Sequence, residues 1–217
     1  MVKTAIVLNS VVQKGLIALS GLLLFAFVLF HLGGNFLLLD APGKYNHLAA
    51  VLESWGWLFH GLEIILAMAL IGHIWLTISI RRQQKKFHPR YTHLRQRERW
   101  VGHWSVNLTS RLMTITGPLI LLFLMIHLSN FRLHPQPRNL EQMVQQLFQS
   151  PLWLWGYELA LIPVGFHLAH GLSSAWQSLG LGHPQITPSL PYFSQMLSGL
   201  IMLGYAVIPF VIYLQSP

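Results

Sequence analysis

The sequence predicts an all-α integral membrane protein with five transmembrane helices in a single domain. Of its 217 residues, 53% are hydrophobic and 9% are charged, whereas soluble domains carry about 25% charged residues. The chain contains no cysteine, which excludes disulfides, iron–sulfur clusters held by this chain and cysteine-linked cofactors. A spanning helix needs about 20 mostly apolar residues. Five segments meet this requirement: 15–39, 56–80, 107–131, 152–179 and 193–214.

The positive charge lies mainly between the second and third apolar segments. Residues 81–99 contain eight of the 14 Lys and Arg residues and one acid, Glu98. A basic run between two spans follows the positive-inside rule, so topology explains it better than nucleic-acid binding. The sequence therefore predicts a multi-pass protein of the cell inner (cytoplasmic) membrane with a cytoplasmic N-terminus and an external C-terminus. It also predicts an outer loop over 40–54, a short interfacial helix outside within 132–151, and an inner turn over 180–192.

Four of the 12 histidines lie in four different apolar segments: His31, His73, His127 and His170. From the helical rise, His31 and His127 lie about 26 and 24 Å from the inner boundary. His73 and His170 lie about 12 and 15 Å from it. Alternate helices supply the two members of each pair, which is expected for diagonal partners in a four-helix bundle.

Paired imidazoles inside hydrocarbon indicate a functional site, because polar groups there are costly. Imidazole suits iron, and two axial imidazoles saturate a haem iron, which favours electron transfer over oxygen chemistry. The sequence thus predicts two bis-histidine haem b sites, with the first four helices forming a haem-binding bundle. The alternative is that these histidines only form hydrogen bonds between helices. His167 competes with His170, but it lies about 20 Å deep, between the two levels, so His170 is preferred as the fourth ligand.

The first and third helices carry an internal repeat. Gly21 precedes His31 by ten residues, and Gly117 precedes His127 by ten, with a hydroxyl residue before each glycine. Glycine lets a bulky planar ligand approach the backbone, and the matched spacing favours that explanation. The alternative is ordinary helix packing, for which small residues are also used.

Three segments cover parts of the first, third and fourth helices: KGLIALSGLLLFAFVLFHLGGNF, SRLMTITG with the following HL, and HGLSSAWQSLG. They resemble the cytochrome b membrane anchor of succinate dehydrogenase and fumarate reductase, of the five-helix, two-haem type. The resemblance implies a flavoprotein subunit with FAD and an iron–sulfur subunit docked on the cytoplasmic face. Electrons would pass between the iron–sulfur clusters, two haem b groups and a membrane quinone, with menaquinone favoured. His31 and His127 would ligate the distal haem, and His73 and His170 the proximal one.

Arg111 and Ser110, near the inner end of the third helix, are candidate partners for a haem propionate, because arginine is well suited to pairing a carboxylate. Gln177 and Trp176 are candidate helpers from the fourth helix. The alternative for Arg111 is an interfacial arginine that fixes the topology.

Glu63 and Glu158 are the two acids within the apolar spans, both in the outer half. Quinone chemistry requires proton transfer at oxygen, so Glu63, with His60 one turn away, is the predicted proton relay. Its replacement by glutamine is predicted to lower quinone turnover without loss of haem. The alternative is that these acids are hydrogen-bonded between helices.

Two other functions are compatible with the sequence. One is the cytochrome b subunit of another quinone-linked dehydrogenase, a hydrogenase or a formate dehydrogenase. The other is a histidine-lined metal-ion transporter, which would require polar, hydrated positions at several depths. The chain offers few acids for such a pathway. In the favoured interpretation the dicarboxylate chemistry belongs to partner subunits, and this chain is the quinone-reactive subunit.

Overall fold

The computed structural model describes residues 10–87, 104–133, 139–182, 185 and 187–215, with the backbone alone over 84–87 and 104–111. These residues form α-helices joined by short connections and one 3-10 turn, Leu37–Leu39. The helices are α1 Ser10–Phe36, α2 Lys44–Ser54, α3 Trp57–Phe87, α4 Trp104–Phe131, α5 Leu140–Phe148, α6 Pro151–Ser178 and α7 Leu190–Leu214.

Five helices are long and apolar enough to cross a membrane, which confirms the predicted number. The candidate spans lie close to the predicted segments. A helix forms its own backbone hydrogen bonds inside the membrane, so a long apolar stretch is enough to recognise a span from sequence. The two largest differences are five residues each, at the start of the first span, Ser10, and at the start of the third, Leu112. The spans are Ser10–Leu39, Trp57–Gln83, Leu112–Phe131, Pro151–Ser178 and Leu190–Leu214. The protein is therefore an all-α, multi-pass membrane protein.

Four spanning helices form the predicted bundle, and α7 lies outside it. α1 packs against α3 and α6, and α6 packs against α4, so α1 faces α4 across one diagonal and α3 faces α6 across the other. Within the described residues, α3 and α4 have little direct backbone contact. α7 packs on α6, where Ser198 Oγ donates to the Gly165 carbonyl at 2.7 Å. Small residues at this contact let the two helices approach closely.

The two ends of the bundle differ in their connections. We use "inner side" for the side where α1 begins and α3 ends, and "outer side" for the opposite one. On the outer side, α5 lies within the predicted interfacial helix segment. The segment 40–54, predicted as a loop, instead contains α2. Gly43 precedes α2 in a left-handed conformation with φ 87°, which glycine adopts without steric cost.

Hydrogen bonds join α2 to α5 and form a cap over the outer side. Glu141 Oε2 accepts from the backbone N–H of Gly43 at 2.9 Å. In return, Asn46 Oδ1 accepts from the backbone N–H of Glu141 at 3.1 Å. Asn46 Nδ2 also donates to Asn139 Oδ1 at 2.8 Å. Val144 and Phe148 of α5 are buried against the outer ends of the bundle, so the cap is attached by both polar and apolar contacts.

On the inner side, α6 ends in the predicted turn. The backbone N–H of Leu181 bonds to the Trp176 carbonyl and that of Gly180 to the Gln177 carbonyl, while Gly180 has φ 74°. This is a Schellman motif, in which glycine takes the left-handed position after the helix. The indole Nε1 of Trp176 donates to the Leu181 carbonyl at 2.8 Å. Trp176, predicted as a helper at a cofactor site, therefore bonds to the end of its own helix.

Candidate functional site

The histidines inside the bundle meet in two pairs, each across one diagonal. His31 of α1 and His127 of α4 form the outer pair, with ring centroids 5.8 Å apart and planes at 88°. His73 of α3 and His167 of α6 form the inner pair, with ring centroids 6.4 Å apart and planes at 59°. The pattern of diagonal pairs at two depths is the one expected from the sequence, but one member differs.

His167, and not the preferred His170, lies opposite His73. Thr116 Oγ1 of α4 lies 3.3 Å from Nδ1 of His167, which orients this ring into the bundle. Nδ1 of His170 is buried and has no hydrogen-bond partner among the described residues. The two histidines differ in depth by only about 4.5 Å along the helix. Counting residues from a helix end cannot distinguish two histidines this close in depth. The rotation of α6 about its axis and the contact with Thr116 of α4 show which ring faces His73.

The repeated glycines contact the inner pair, although they were found by their spacing from the outer one. A Cβ added to Gly21 would lie 3.2 Å from Cε1 of His73, and one added to Gly117 would lie 4.0 Å from Cε1 of His167. Gly21 therefore makes room for the His73 imidazole, whereas a Cβ at Gly117 would make an ordinary van der Waals contact with His167. This differs from the prediction, in which the glycine made room for a planar ligand of the histidine in its own helix.

The ten-residue spacing in this repeat gives the distance between the inner and outer histidine pairs along the bundle. Gly21 and His31 are ten residues apart on α1, and so are Gly117 and His127 on α4. Ten helical residues span about 15 Å. Two helices on one diagonal thus place the inner and outer pairs about 15 Å apart along the bundle.

The hydroxyl residues of the repeat hold the inner imidazoles through Nδ1. Ser20 Oγ lies 3.1 Å from Nδ1 of His73, and the Ile17 carbonyl lies 3.2 Å from the same atom. Because a carbonyl only accepts, Nδ1 of His73 carries the proton, and Nε2 keeps its lone pair for a metal. Such an outer hydrogen bond is the usual support of a metal-binding histidine.

The outer pair is surrounded by aromatic rings rather than by hydroxyl groups. Phe27 stacks on His31 with centroids 5.4 Å apart, and Tyr205 lies 6.3 Å from it. Phe131 and Tyr157 lie 5.3 and 6.1 Å from the His127 ring. Nδ1 of His127 is buried without a hydrogen-bond partner among the described residues. The hydroxyl groups of the two tyrosines are directed to other partners, Tyr157 Oη accepting from Asn130 Nδ2 and Tyr205 Oη donating to the Val28 carbonyl.

The geometry of both pairs fits one metal ion between two imidazoles. An imidazole nitrogen lies about 2 Å from a bound metal ion, so two rings on opposite sides of one ion have centres about 6 Å apart. The observed separations are 5.8 and 6.4 Å. No three His, Asp or Glu side chains group together in the described part of the chain. Two imidazoles leave four equatorial positions of an octahedral iron to a ligand that is not protein, which is what a porphyrin supplies.

The predicted proton relay, Glu63, is held in an ion pair. Arg132 Nε and Nη2 donate to its two carboxylate oxygens at 2.8 and 2.9 Å, and His60 Nδ1 lies 3.1 Å from Oε2. These bonds join the outer ends of α3 and α4, and hydrogen bonding from Glu63 holds the pKa of Arg132 above its ordinary value. The contacts favour the alternative interpretation of Glu63, an acid bonded between helices.

Glu158 of α6 differs from Glu63 in having an unsatisfied oxygen. Its Oε1 is buried and has no hydrogen-bond partner among the described residues. Its chain neighbour Tyr157 contacts His127, which places Glu158 at the depth of the outer pair. An unpaired carboxyl oxygen on a half-buried side chain in an apolar span is costly and marks a candidate for proton exchange.

Of the predicted propionate partners Ser110, Arg111 and Gln177, Gln177 alone has a side chain within the described part of the chain. Ser110 and Arg111 lie on the helical backbone of α4, but their side chains fall outside the described part. Gln177 is exposed near the end of α6. Sequence analysis missed Arg81, whose Nη1 donates to Thr114 Oγ1 of α4. The spacing between His73 and Arg81, about two helical turns, could have indicated that Arg81 lies near the inner pair. Because Arg81 begins the basic segment, its charge was instead explained by membrane topology.

No protein-family model matches the chain, and no curated protein or solved structure is significantly similar to it. The histidine pairs, the hydrogen bonds behind them and the placement of charged groups are therefore the observations that bear on function.

Proposed function

We propose that this chain is the di-haem b membrane anchor of a succinate:quinone oxidoreductase or quinol:fumarate reductase. It passes electrons between an iron–sulfur subunit and a membrane quinone, with menaquinone favoured. The flavoprotein subunit with FAD and the iron–sulfur subunit dock on the inner, cytoplasmic side, and dicarboxylate chemistry takes place there. The chain itself is the quinone-reactive subunit in the cell inner membrane.

The observation that carries the proposal is the pair of diagonal imidazole contacts. Ring centres 5.8 and 6.4 Å apart match two axial ligands on one iron, and the levels are about 15 Å apart along α1 and α4. A haem b at each level would supply one-electron redox chemistry. The named partners and the choice of quinone are supported by the sequence resemblance in the first, third and fourth spans.

The residues around each pair have distinct tasks in this proposal. Ser20, Ile17 and Thr116 orient the inner imidazoles through Nδ1, so that Nε2 faces the metal position. Aromatic rings around the outer pair exclude water. Both imidazoles of each pair would hold the haem iron, which would leave no open site for oxygen and suit the centre to electron transfer.

Purification of the native complex tests the proposal. We expect a reduced-minus-oxidised spectrum of b type with two haems per chain, together with flavin, iron–sulfur clusters and succinate–quinone activity. Co-purification of nickel or molybdenum in place of flavin would assign the chain to a hydrogenase or formate dehydrogenase. Absence of b-type absorption in haem-replete membranes would overturn the haem proposal and favour the metal-ion transporter.

The two intramembrane acids are expected to differ in their effect on quinone turnover. Glu158→Gln should lower turnover by at least about tenfold with both haems retained, because a positioned general acid or base contributes roughly 10²–10⁴-fold. Glu63→Gln, for which the sequence predicts reduced turnover, should have a small effect, because both oxygens of Glu63 already bind Arg132. The measurement is quinone turnover normalised to haem content.

The same pair of variants provides the control. Both replace one carboxyl by an amide at similar depth in the outer half of the bundle, so a general effect of losing an acid would appear in both. A large loss in Glu63→Gln with normal turnover in Glu158→Gln would return the proton relay to Glu63 and His60.

A further inference from the structure

Arg81 lies half-buried at the inner end of α3, two turns beyond His73. Its Nη1 donates to Thr114 Oγ1 of α4, and Thr114 is two residues from Thr116, which contacts His167. The guanidinium is within electrostatic range of His167 and His170. Side chains on a helix point toward its N-terminus, so the Arg81 side chain points back from the inner end of α3 into the membrane.

This arginine has no carboxylate partner among the described residues. Thr114 contributes a neutral hydroxyl, which satisfies one N–H and leaves the charge uncompensated. The described ion pairs all lie on the outer side. So do the described carboxylates, which belong to the outer connections or the outer halves of the helices: Asp40, Glu53, Glu63, Glu141 and Glu158. A half-buried guanidinium at the end of a membrane-spanning helix is stabilised by an anion beside it.

Two further polar groups on the inner side lack partners. Nδ1 of His170 is buried without a hydrogen bond among the described residues, and so is Oε1 of Gln13. Gln13 is only 4% exposed and lies one turn inward of Ile17, whose carbonyl contacts His73. Buried polar atoms are nearly always satisfied in native proteins, so the unpaired Nδ1 of His170 indicates a missing hydrogen-bond acceptor at this end of the bundle. Gln13 Oε1 is itself an acceptor and requires a donor.

We propose that Arg81 and His170 bind the propionate carboxylates of the porphyrin whose iron is held by His73 and His167. The inference rests on the proposed function. Guanidinium and imidazole N–H groups both donate to carboxylates, and Arg81 supplies the positive charge that two propionates require. In this proposal His170, the histidine preferred as an iron ligand from sequence, binds a propionate, and His167, less than one turn away, holds the iron. In this arrangement Gln13 contributes an amide to the polar inner end of the same pocket.

The test compares Arg81→Gln with Arg82→Gln in the intact complex by spectroscopic redox titration. A ferric haem carries one more positive charge than a ferrous haem, so a nearby cation favours the ferrous form. Arg81→Gln should therefore lower the reduced-to-oxidised ratio of one haem by about tenfold at a fixed potential, or about 59 mV for a one-electron couple. The other haem should keep its parental ratio. Arg82 is exposed, and Arg82→Gln should leave both haems unchanged.

A second measurement covers the case in which Arg81→Gln fails to assemble. Arg81→Lys keeps the positive charge but loses the planar guanidinium that binds a carboxylate with two hydrogen bonds. The propionate bands in a reduced-minus-oxidised infrared spectrum should therefore shift in Arg81→Lys. The same bands should not shift in Arg82→Lys. His170→Leu should shift the same bands and retain two haems. Unchanged bands in Arg81→Lys and His170→Leu, or equal shifts in Arg81→Gln and Arg82→Gln, would overturn the inference. A parent complex without haem would overturn the proposed function instead.

Discussion

His167→Ala is expected to reduce the haem content from two per chain to one, whereas His170→Ala should retain both. His167 lies opposite His73, with ring centroids 6.4 Å apart, and its Nδ1 contacts Thr116. Removal of one axial imidazole leaves the inner iron with His73 alone, and an iron held by one protein ligand in a wide cavity is readily lost. The measurement is haem per chain by pyridine haemochrome in the purified complex.

An added ligand separates loss of coordination from misfolding in this experiment. His167→Gly leaves a cavity of imidazole size, so free imidazole supplied during assembly should restore the second haem. The same addition should have no effect on the parent or on His170→Gly. Two haems in His167→Ala and one in His170→Ala would show that His170 is the ligand, as depth along the sequence favours.

The spanning helices were predictable because the signal for them is local. Apolar length selects each span, and no partner is needed to recognise it. The outer helix α5 was also predicted within 132–151, where the sequence alternates apolar and polar residues around Val144 and Phe148. The helix α2 was missed because its segment begins with Asp, Ala, Pro and Gly, which read as a turn. Its stability depends on Glu141, nearly 100 residues later, which accepts from the N–H of Gly43.

The two depth levels of the histidine pairs were predictable from sequence, whereas the ring that faces His73 was not. Depth follows from counting residues along a helix, so two levels emerge from sequence alone. Rotation about the helix axis does not follow from such counting. His167 and His170 are separated by less than one turn, and only the position of Thr116 on a neighbouring helix decides between them.

Partners of charged groups were the least predictable part of the site. Glu63 was identified correctly as an acid in an apolar span, but its ion pair with Arg132 joins residues 69 positions apart. The carboxylate contact could not be inferred from either helix by itself. The same holds for Arg81 and Thr114, which are 33 positions apart. The hypothesis that Arg111 and Ser110 bind a propionate stays a prediction.

His127→Ala should remove the haem of the outer pair and abolish quinone reduction, while the haem of the inner pair remains reducible by succinate. His127 faces His31 across the bundle, and the oxygen of its neighbour Tyr157 is already hydrogen-bonded to Asn130. Electrons would then enter at the inner level and stop about 15 Å short of the outer level along the helices. The measurements are haem content, succinate-dependent haem reduction and quinone turnover. His47→Ala is the matched control, because His47 is exposed on α2 and outside both pairs.

Comparison of the two histidine variants gives a stricter test than either alone. If each pair holds one haem independently, the difference spectrum of His127→Ala and that of His167→Ala should be distinct and should sum to the parental spectrum. The inner pair is held by hydroxyl and carbonyl groups and the outer pair by aromatic rings, so the two centres have different electronic surroundings. Identical residual spectra, or loss of both haems in each variant, would mean that the four imidazoles do not form two separate centres.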